Sequence, residues 1–246
     1  MGDQTQRPEL PPERTQPGQG EGLMADGNTW DVYNEFTLHG GLDRFTKLLA
    51  RYELFKMVMD KPGDIVECGV LKGAGVLYWA KLIQIYNPLS KRKVIGFDTF
   101  EGYPENTSQA HDRQTGKEFQ AVQVVEDSSI AVDTIMGVAE EQGLAHRIEL
   151  VKGDATTSIQ SYANDNPGFR VALLDLDFVL YDPTKAALEA LYPLIVPGGV
   201  VALDEYALKG MGESDAVDEF FDGQPPEMKS FPWALSPTAY FVKGKK

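Results

Sequence analysis

Apolar and polar residues alternate along most of this chain in the pattern of a sheet covered by helices. Short apolar runs indicate buried strands at 64–68, 94–98, 148–154, 171–175 and 200–203. Between these runs, apolar residues recur at three- and four-residue steps, which is typical of amphipathic helices. Because strands and helices alternate, we predict an α/β domain built on a parallel sheet with helices on both faces.

The chain before the first strand divides into three parts. Residues 1–23 are rich in Pro, Gln and Gly and predict a disordered tail, because so few apolar side chains cannot offset the entropy of ordering. Residues 28–41 are too apolar for a tail and predict a short helix or lid packed over the domain. The segment 42–59 has the apolar period of one amphipathic helix. We therefore assign residues 24–246 to a single domain.

Two later segments depart from the alternation of strands and helices. Residues 103–125 are polar and weakly patterned, and a loop of this length inside a compact domain predicts a mobile substrate loop. Near the end of the sequence, residues 233–235 and 238–242 have the pattern of a closing antiparallel hairpin.

The stretch from Glu67 to Gly75 combines a strand end, a glycine-spaced turn and the start of a helix. Gly69 and Gly73 let the backbone approach a ligand closely, and the helix that follows points its N-terminus at that ligand. The glycine spacing differs from the G-x-G-x-x-G of dinucleotide-binding folds. Glu67 is placed to accept a hydrogen bond from the ammonium of a methionine tail, the alternative being a surface acid without a ligand. We interpret the loop as part of an S-adenosylmethionine site.

Two further strands also end in an acid, at the edge where open α/β sheets bind their ligands. Asp98 is placed to chelate a ribose diol, with Thr99 in the same site, and its alternative role is to form a turn. Asp154 is placed to receive the adenine amino group while Ala155 packs against the ring, and the alternative for Asp154 is a helix cap. Acids at successive strand ends together favour a nucleoside cofactor more strongly than any one of them does.

Carboxylates also end the next two strands, at Asp175 and at Asp204 and Glu205. Neighbouring strand ends bring like charges close together, which is unfavourable unless a cation neutralises them. Oxygen-only ligands suit Mg²⁺, which retains waters that substrate oxygens replace. We therefore predict Asp175, Asp204 and Glu205 as metal ligands, with ordinary strand-end caps as the alternative. Asp177 is a weaker candidate.

A hydroxyl group is a poor nucleophile until it loses its proton, and coordination to Mg²⁺ lowers its pKa and aligns it with a methyl donor. A neighbouring base then completes the reaction. We predict that Asp175 serves as ligand and base and also borders the cofactor. His111 in the polar loop and His39 in the N-terminal lid are the other candidate bases, and each is also compatible with an ordinary surface histidine.

Composition narrows the range of partners and compartments. A formal net charge of −14 at pH 7 argues against nucleic acid and anionic membranes, both of which need a basic face. The single cysteine, Cys68, lies in an apolar strand and predicts a buried thiol. Without a signal peptide or an apolar run long enough to span a bilayer, we expect a cytoplasmic protein.

With these residues in view, the sequence resembles the macrocin O-methyltransferase family of class I S-adenosylmethionine-dependent enzymes. The matching segments are 65–70, 96–104, 180–184, 191–193, 197–199 and 203–206. The resemblance extends from about Phe45 to the end of the sequence. It implies a seven-stranded Rossmann-like methyltransferase sheet with an N-terminal helical lid. It also implies Mg²⁺-dependent methylation of deoxysugar hydroxyls in antibiotic biosynthesis, with Asp175 matching the first acid of an Asp-x-Asp strand end.

From the resemblance we predict methyl transfer from S-adenosylmethionine to a hydroxyl of a nucleotide-activated (dTDP-) deoxysugar, with S-adenosylhomocysteine as product. The acidic pair is Asp-Glu here rather than the family's double Asp, and residues 178–180 lengthen the segment before Tyr181. The short lid favours a nucleotide sugar over a glycosylated macrolide. We expect a small-molecule sugar substrate and a homo-oligomer.

Four other functions stay open at the level of the sequence. A glycosylated macrolide or a catechol-like phenol would also accept a methyl group in an Mg²⁺-dependent reaction. A nicotinamide-dependent oxidoreductase is disfavoured by the missing G-x-G-x-x-G motif. A non-catalytic nucleoside-binding module would keep the fold and bind a ligand without turnover.

Overall fold

The computed structural model describes residues 29–104, 107–122 and 129–244, except for the side chains of residues 29, 30 and 122. The predicted disordered tail at 1–23 lies outside these ranges. The helices are α1 (Thr29–His39), α2 (Leu42–Val58), α3 (Ala74–Tyr86), α4 (Ala110–Val122), α5 (Val132–Glu141), α6 (Ala155–Asp165), α7 (Tyr181–Leu191) and α8 (Glu213–Phe220). The strands are β1 (Asp64–Cys68), β2 (Val94–Asp98), β3 (Ile148–Lys152), β4 (Val171–Leu176), β5 (Ile195–Leu203) and β6 (Ala239–Val242).

These strands form one sheet in the order β3-β2-β1-β4-β5-β6. Every neighbouring pair is parallel except β5 and β6, which are antiparallel. The chain order reverses between β1 and β4, and open α/β sheets bind ligands at the carboxyl ends of strands beside such a switch point. The predicted α/β fold with a parallel sheet is confirmed.

Helices cover both faces of the sheet, as the apolar runs of the strands predict. Ile65 and Leu173 face a core that also contains Trp79 of α3 and Phe55 of α2. The alternate positions along the strands face a second core built with α6, α7 and α8. Because successive side chains of a strand point to opposite faces, fully apolar strands belong in a sheet buried on both sides.

The edge strand differs from the prediction of seven strands and a closing hairpin. Six strands are present in the described residues, and only the second arm of the expected hairpin, 238–242, contributes one. The first arm, 233–235, forms a turn, and a single bridge between Lys229 and Tyr240 pairs with the other side of β6. Pro225, Pro226 and Pro232 lack the N–H that a continuous ladder requires.

The segment predicted as an unstructured loop at 103–125 contains a helix. Residues 110–122 form α4, whose inner face carries the buried Asp112, Thr115 and Gly116. Because this face is small and polar, the sequence lacks the apolar period by which helices are normally recognised. The helix is held by hydrogen bonds instead. Thr115 Oγ1 donates to the carbonyl oxygen of Gly210 at 2.8 Å.

The N-terminal helices are present, but they pack differently from the prediction. Residues 29–39 form α1 as expected, yet its described side chains are exposed and do not cover the domain. The helix at 42–58 is confirmed as α2, whereas Leu42 and Leu49 of the predicted apolar face are exposed. The buried face of α2 includes Arg51, Leu54 and Val58. No helix within the described ranges is both long and apolar enough to cross a membrane.

Candidate active site

Carboxylates converge where β1 and β4 end side by side. Glu67 of β1 and Asp175 of β4 are register partners, so their side chains lie next to each other on the face covered by α2 and α3. Both are almost completely buried. The predicted gathering of acids from adjacent strand ends is therefore present, although these two lie below the open rim.

At the rim itself, Asp177, Asp204 and Glu205 offer carboxylate oxygens that all lie within 4.8 Å of one another. The structure brings together the predicted Asp204 and Glu205 but replaces the predicted Asp175 with Asp177. The reason is that β4 ends at Leu176 and the next residue turns to the rim. The Asp177 N–H donates to the Cys68 carbonyl at 2.8 Å, which fixes this turn against β1.

The donor set of this rim cluster fits a hard divalent cation. Asp204 and Glu205 are buried, and Asp204 Oδ1 and Glu205 Oε2 have no hydrogen-bond partner in the described part of the chain. Buried polar atoms are rarely left unpaired, so these oxygens indicate a ligand position. Carboxylate oxygens alone, without sulfur or imidazole, are the ligands that Mg²⁺ prefers.

Two basic side chains of α2 form ion pairs with these carboxylates, and neither was predicted from the sequence. Lys47 Nζ lies 2.8 Å from Asp177 Oδ2 and 2.5 Å from Asp204 Oδ2. One helical turn later, Arg51 Nη2 lies 3.2 Å from Glu67 Oε1 and 3.3 Å from Asp175 Oδ2. The i, i+4 spacing places both side chains on one face of α2. Lys47 and Arg51 lie at three- and four-residue steps from the apolar Leu54 and Val58. This spacing could have predicted that both basic residues lie on the inner face of α2.

Burial controls the protonation of most of these acids. It raises the pKa of Glu67 to about 8, although Arg51 acts in the opposite direction. It also raises the pKa of Asp204 to about 7, with Asp177 as a second cause, and raises the pKa of Glu205. Burial acts in the same direction on Asp177, but Lys47 and Arg51 outweigh it and lower the pKa of this carboxyl. The site thus holds more carboxyl groups than its own cations neutralise.

A further buried acid, absent from the sequence prediction, supports the rim cluster. Glu213 at the start of α8 accepts a hydrogen bond from the Glu205 N–H at 2.7 Å through Oε2. Its other oxygen has no hydrogen-bond partner among the described residues. Burial, followed by the charge of Asp204, raises the pKa of Glu213 well above its usual range. Glu213 thereby fixes the backbone that carries Glu205.

The positions of the glycines after β1 leave no room for a side chain. Gly69 and Gly73 have φ of +96° and +82°, in the left-handed region that favours glycine. A Cβ on Gly73 would lie 2.6 Å from the side chain of Ile135, and a Cβ on Gly75 would lie 1.8 Å from Glu67 Oε1. The absence of side chains thus lets Glu67 and Arg51 approach the N-terminus of α3.

Asp98 lies at the predicted strand end, but its oxygens organise the surrounding loops. Oδ2 accepts hydrogen bonds from the backbone N–H groups of Val70 and Leu71 at 2.8 and 3.0 Å. Oδ1 accepts from the Phe100 N–H at 2.9 Å. The carboxylate therefore ties the glycine loop to the end of β2, which is the turn-forming alternative.

A cleft lies beside Asp98 between the ends of β2 and β3. Its lining includes Thr99, Gly102, Gly153 and Asp154. Asp154 caps α6, accepting hydrogen bonds from the Thr156 N–H at 2.9 Å and the Thr156 hydroxyl at 2.7 Å. Ala155 is buried in the core below. Of the two residues predicted for adenine, Asp154 borders the cleft and also fills its alternative role as a helix cap, whereas Ala155 packs in the core.

The three candidate bases occupy very different places. Asp175 is buried against Arg51 below the rim. His39 is largely exposed at the end of α1, 3.9 Å from Glu35. His111 lies on α4, with Nε2 3.2 Å from Oδ1 of the buried Asp112. The same Asp112 accepts a hydrogen bond from the Tyr181 N–H at 2.8 Å through Oδ2, which ties α4 to the start of α7.

The sheet topology and the acids at its switch point define a class I methyltransferase fold. The crystal structure of CalS11, titled a TDP-rhamnose 3'-O-methyltransferase of calicheamicin biosynthesis, superimposes with a TM-score of 0.65. It is 28% identical and covers 90% of this chain and 89% of its own. The O-methyltransferase NovP, at 23% identity, has the same fold with a TM-score of 0.67 over 81% of this chain and 80% of its own.

The chain belongs to the macrocin-O-methyltransferase (TylF) family, whose sequence model matches residues 25–225. A tetracenomycin 4'-O-methyltransferase from Streptomyces olivaceus, which acts on a dimethoxy-rhamnosyl derivative, is 30% identical over 65% of this chain and 58% of its own length. Mycinamicin III 3''-O-methyltransferase from Micromonospora griseorubida is 28% identical over 65% of this chain and 61% of its own. The chain thus aligns with about three fifths of the length of these curated relatives.

Proposed function

We propose that this protein is an S-adenosylmethionine- and Mg²⁺-dependent O-methyltransferase acting on a hydroxyl of a nucleotide-activated deoxysugar in natural-product biosynthesis. The observation that carries the proposal is the rim cluster of Asp177, Asp204 and Glu205 with its buried, unpartnered oxygens. The cluster lies beside the glycine loop of a methyltransferase fold. Family membership and the cluster support the same chemistry independently.

The rim cluster is the proposed Mg²⁺ site. Asp177, Asp204 and Glu205 would hold the ion, with Asp177 in the place that the sequence assigned to Asp175. Bound Mg²⁺ supplies Lewis acidity that lowers the pKa of a substrate hydroxyl and orients it. Glu213 holds the Glu205 backbone, and the Asp177 turn is held by Cys68. These contacts keep the ligands in place on rigid strand ends.

The cofactor is proposed to lie across the glycine loop and the cleft beside it. The backbone at Gly69 and Gly73 lines the approach to the N-terminus of α3, a position that favours a carboxylate. Glu67 Oε2 is buried and has no hydrogen-bond partner among the described residues, so it is available to an ammonium. Thr99 and Asp154 line the cleft where the nucleoside would lie.

His111 is the base that we favour for removing the hydroxyl proton. It is partly exposed and lies on α4, and the neighbouring Asp112 ties this helix to Tyr181 at the start of α7. An adjacent carboxylate also stabilises the imidazolium that forms when the histidine takes up a proton. Asp175 is less suited because Arg51 lies against its carboxylate.

The substrate class follows from the relatives. The tetracenomycin relative is named for a rhamnosyl-bearing product, and CalS11 is named for TDP-rhamnose. CalS11 is similar to this chain over nearly the full length of both proteins. We therefore favour a dTDP-deoxysugar over a sugar already attached to an aglycone.

The test is to incubate the protein with S-adenosylmethionine, Mg²⁺ and a panel of dTDP-deoxysugars, and to follow S-adenosylhomocysteine and methylated sugar by mass spectrometry. We expect turnover that stops with EDTA and returns with Mg²⁺. Asp204→Asn should abolish turnover while calorimetry still detects cofactor binding. The matched control is Asp133→Asn, an exposed acid on α5, which should behave as the parent protein.

Other outcomes separate the alternatives. If the protein methylates a catechol or a glycosylated macrolide but none of the nucleotide sugars, the proposed substrate class is wrong. Cofactor binding without any turnover would favour the non-catalytic nucleoside-binding module. Full activity in EDTA would remove the metal from the mechanism.

A further inference from the structure

The amino group of Lys47 lies among the same carboxylates that form the proposed cation site. Its Nζ is 2.8 Å from Asp177 Oδ2 and 2.5 Å from Asp204 Oδ2, so it bridges two of the three members of the rim cluster. The side chain is largely buried, with 15% of its surface exposed. At these distances both contacts are direct charge-assisted hydrogen bonds rather than long-range attraction.

The position of Lys47 is set by the buried part of α2. One turn further along the helix, Arg51 is fixed between Glu67 and Asp175, and Leu54 follows in the core. Tyr78 of α3 also donates a hydrogen bond to the Leu48 carbonyl at 2.8 Å. The Lys47 backbone is therefore anchored on both sides, while its four-carbon side chain retains the freedom to move its charged end.

The site contains more acidic than basic groups, so its charge balance favours a further cation. Six carboxyl groups line it: Glu67, Asp175, Asp177, Asp204, Glu205 and Glu213. Lys47 and Arg51 are the basic residues that pair with this group in the described ranges. Of the two, Arg51 is held chiefly by the acids below the rim. Arg51 also lies 3.5 Å from Asp177 Oδ2, but both partners of Lys47 are proposed metal ligands, and they lie at shorter distances.

We propose that Lys47 and the divalent cation compete for the carboxylates of Asp177 and Asp204. Lys47 is a positioning residue that holds the two carboxylates together until the metal arrives, and its amino group leaves when the metal binds. The inference rests on the proposed metal site and adds a residue that sets its affinity. Two cations bound to the same two carboxylates would repel each other strongly, because burial weakens screening by water.

Metal affinity of the protein without substrate tests this competition directly. Free Mn²⁺, titrated by electron paramagnetic resonance, reports binding independently of catalysis. Lys47→Met removes the competing charge and should bind Mn²⁺ about tenfold or more tightly than the parent protein, in keeping with the coupling of close charge pairs. Lys47→Gln, which keeps hydrogen-bonding groups, should change in the same direction. Lys56→Met, two turns along α2 and paired with Glu53, is the matched control and should bind as the parent does.

Thermal unfolding supplies a second measurement. Without metal, Lys47→Met should melt below the parent protein because the acids lose their counter-charge. Saturating Mn²⁺ should raise the melting temperature of this variant by more than it raises that of the parent. Equal stabilisation of the two proteins, with equal Mn²⁺ affinity, would overturn the competition and leave the metal site intact.

A crystal structure of the parent protein soaked in Mn²⁺ completes the test. We expect the ion between Asp177 and Asp204, with Lys47 Nζ withdrawn from hydrogen-bonding distance of both carboxylates. An ion in place beside an unmoved Lys47 would overturn this inference alone. Absence of Mn²⁺ binding in parent and variants would overturn both this inference and the proposed metal site.

Discussion

A Cβ atom on Gly69 would lie 2.2 Å from the carbonyl oxygen of Asp177. The two residues follow β1 and β4, the strands on either side of the switch point, and their backbones touch there. The contact joins the glycine loop of the proposed cofactor site to the first ligand of the proposed metal site. Any change at Gly69 is therefore expected to move Asp177.

Gly69→Ala should destabilise the protein and disturb the metal site together. The left-handed backbone and the clash with Asp177 should lower the free energy of unfolding by about 2–5 kcal/mol. Gly143→Ala is the matched control, because its φ is +66° but nothing lies within 4 Å of the added Cβ. It should cost about 1–2 kcal/mol, from backbone strain alone. Urea denaturation compares the two, and equal losses would contradict the proposed clash.

Arg51→Met should destabilise the protein strongly, because it removes a buried positive charge. It leaves Glu67 and Asp175 buried without their cation, which should lower the free energy of unfolding by about 3–5 kcal/mol. Adding Glu67→Gln to the variant should recover part of the loss, because one of the stranded charges is then removed. The exposed Arg44, changed to Met, should shift stability by no more than about 0.5 kcal/mol. A double variant no more stable than the single one would argue against this pairing.

Asp112→Ala should loosen α4 without unfolding the sheet. The change leaves the Tyr181 N–H without its acceptor and removes the partner of His111, at a cost of about 1–3 kcal/mol. Hydrogen exchange should become faster in 110–121 and at the start of α7, while β1 and β4 stay protected. Lys117→Gln, on the exposed side of the same helix, provides the comparison. Uniformly faster exchange throughout the molecule would show that Asp112 supports the whole fold instead.

Stability of the metal-free protein should fall as the pH rises from about 5 to about 8. Burial raises the pKa of Glu67 from 4.5 to about 8 and that of Asp204 from 3.8 to about 7. In this window the folded state binds more protons than the unfolded state, so removing protons favours unfolding. Urea titrations across the window measure the slope, and Glu67→Gln should reduce it. Saturating Mg²⁺ should also flatten the decline, whereas a rise in stability over this range would contradict the assigned shifts.

Local sequence patterns were sufficient to predict the strands and helices that have strong apolar periods. The strands β1, β2 and β4 and the helix α2 follow from runs and periods of a few residues, because burial on both faces demands apolar side chains at nearly every position. The helix α4 escaped prediction because its inner face is polar and is held by hydrogen bonds, one accepted by Asp112 and one donated by Thr115. Such partners are distant in the sequence, so no local window contains them.

The class of fold, the glycine turn after β1 and the acids at the strand ends each depend on a short segment, so they can be inferred from the order of residues. Which acids meet depends on how the strands and helices pack. Asp177 joins Asp204 and Glu205 because it directly follows Leu176, the last residue of β4, whereas Asp175 stays below the rim against Arg51. The cations Lys47 and Arg51 enter the site from a helix packed on the face of the sheet. Distances between side chains on different elements depend on how those elements pack, and the order of residues along the chain does not record them.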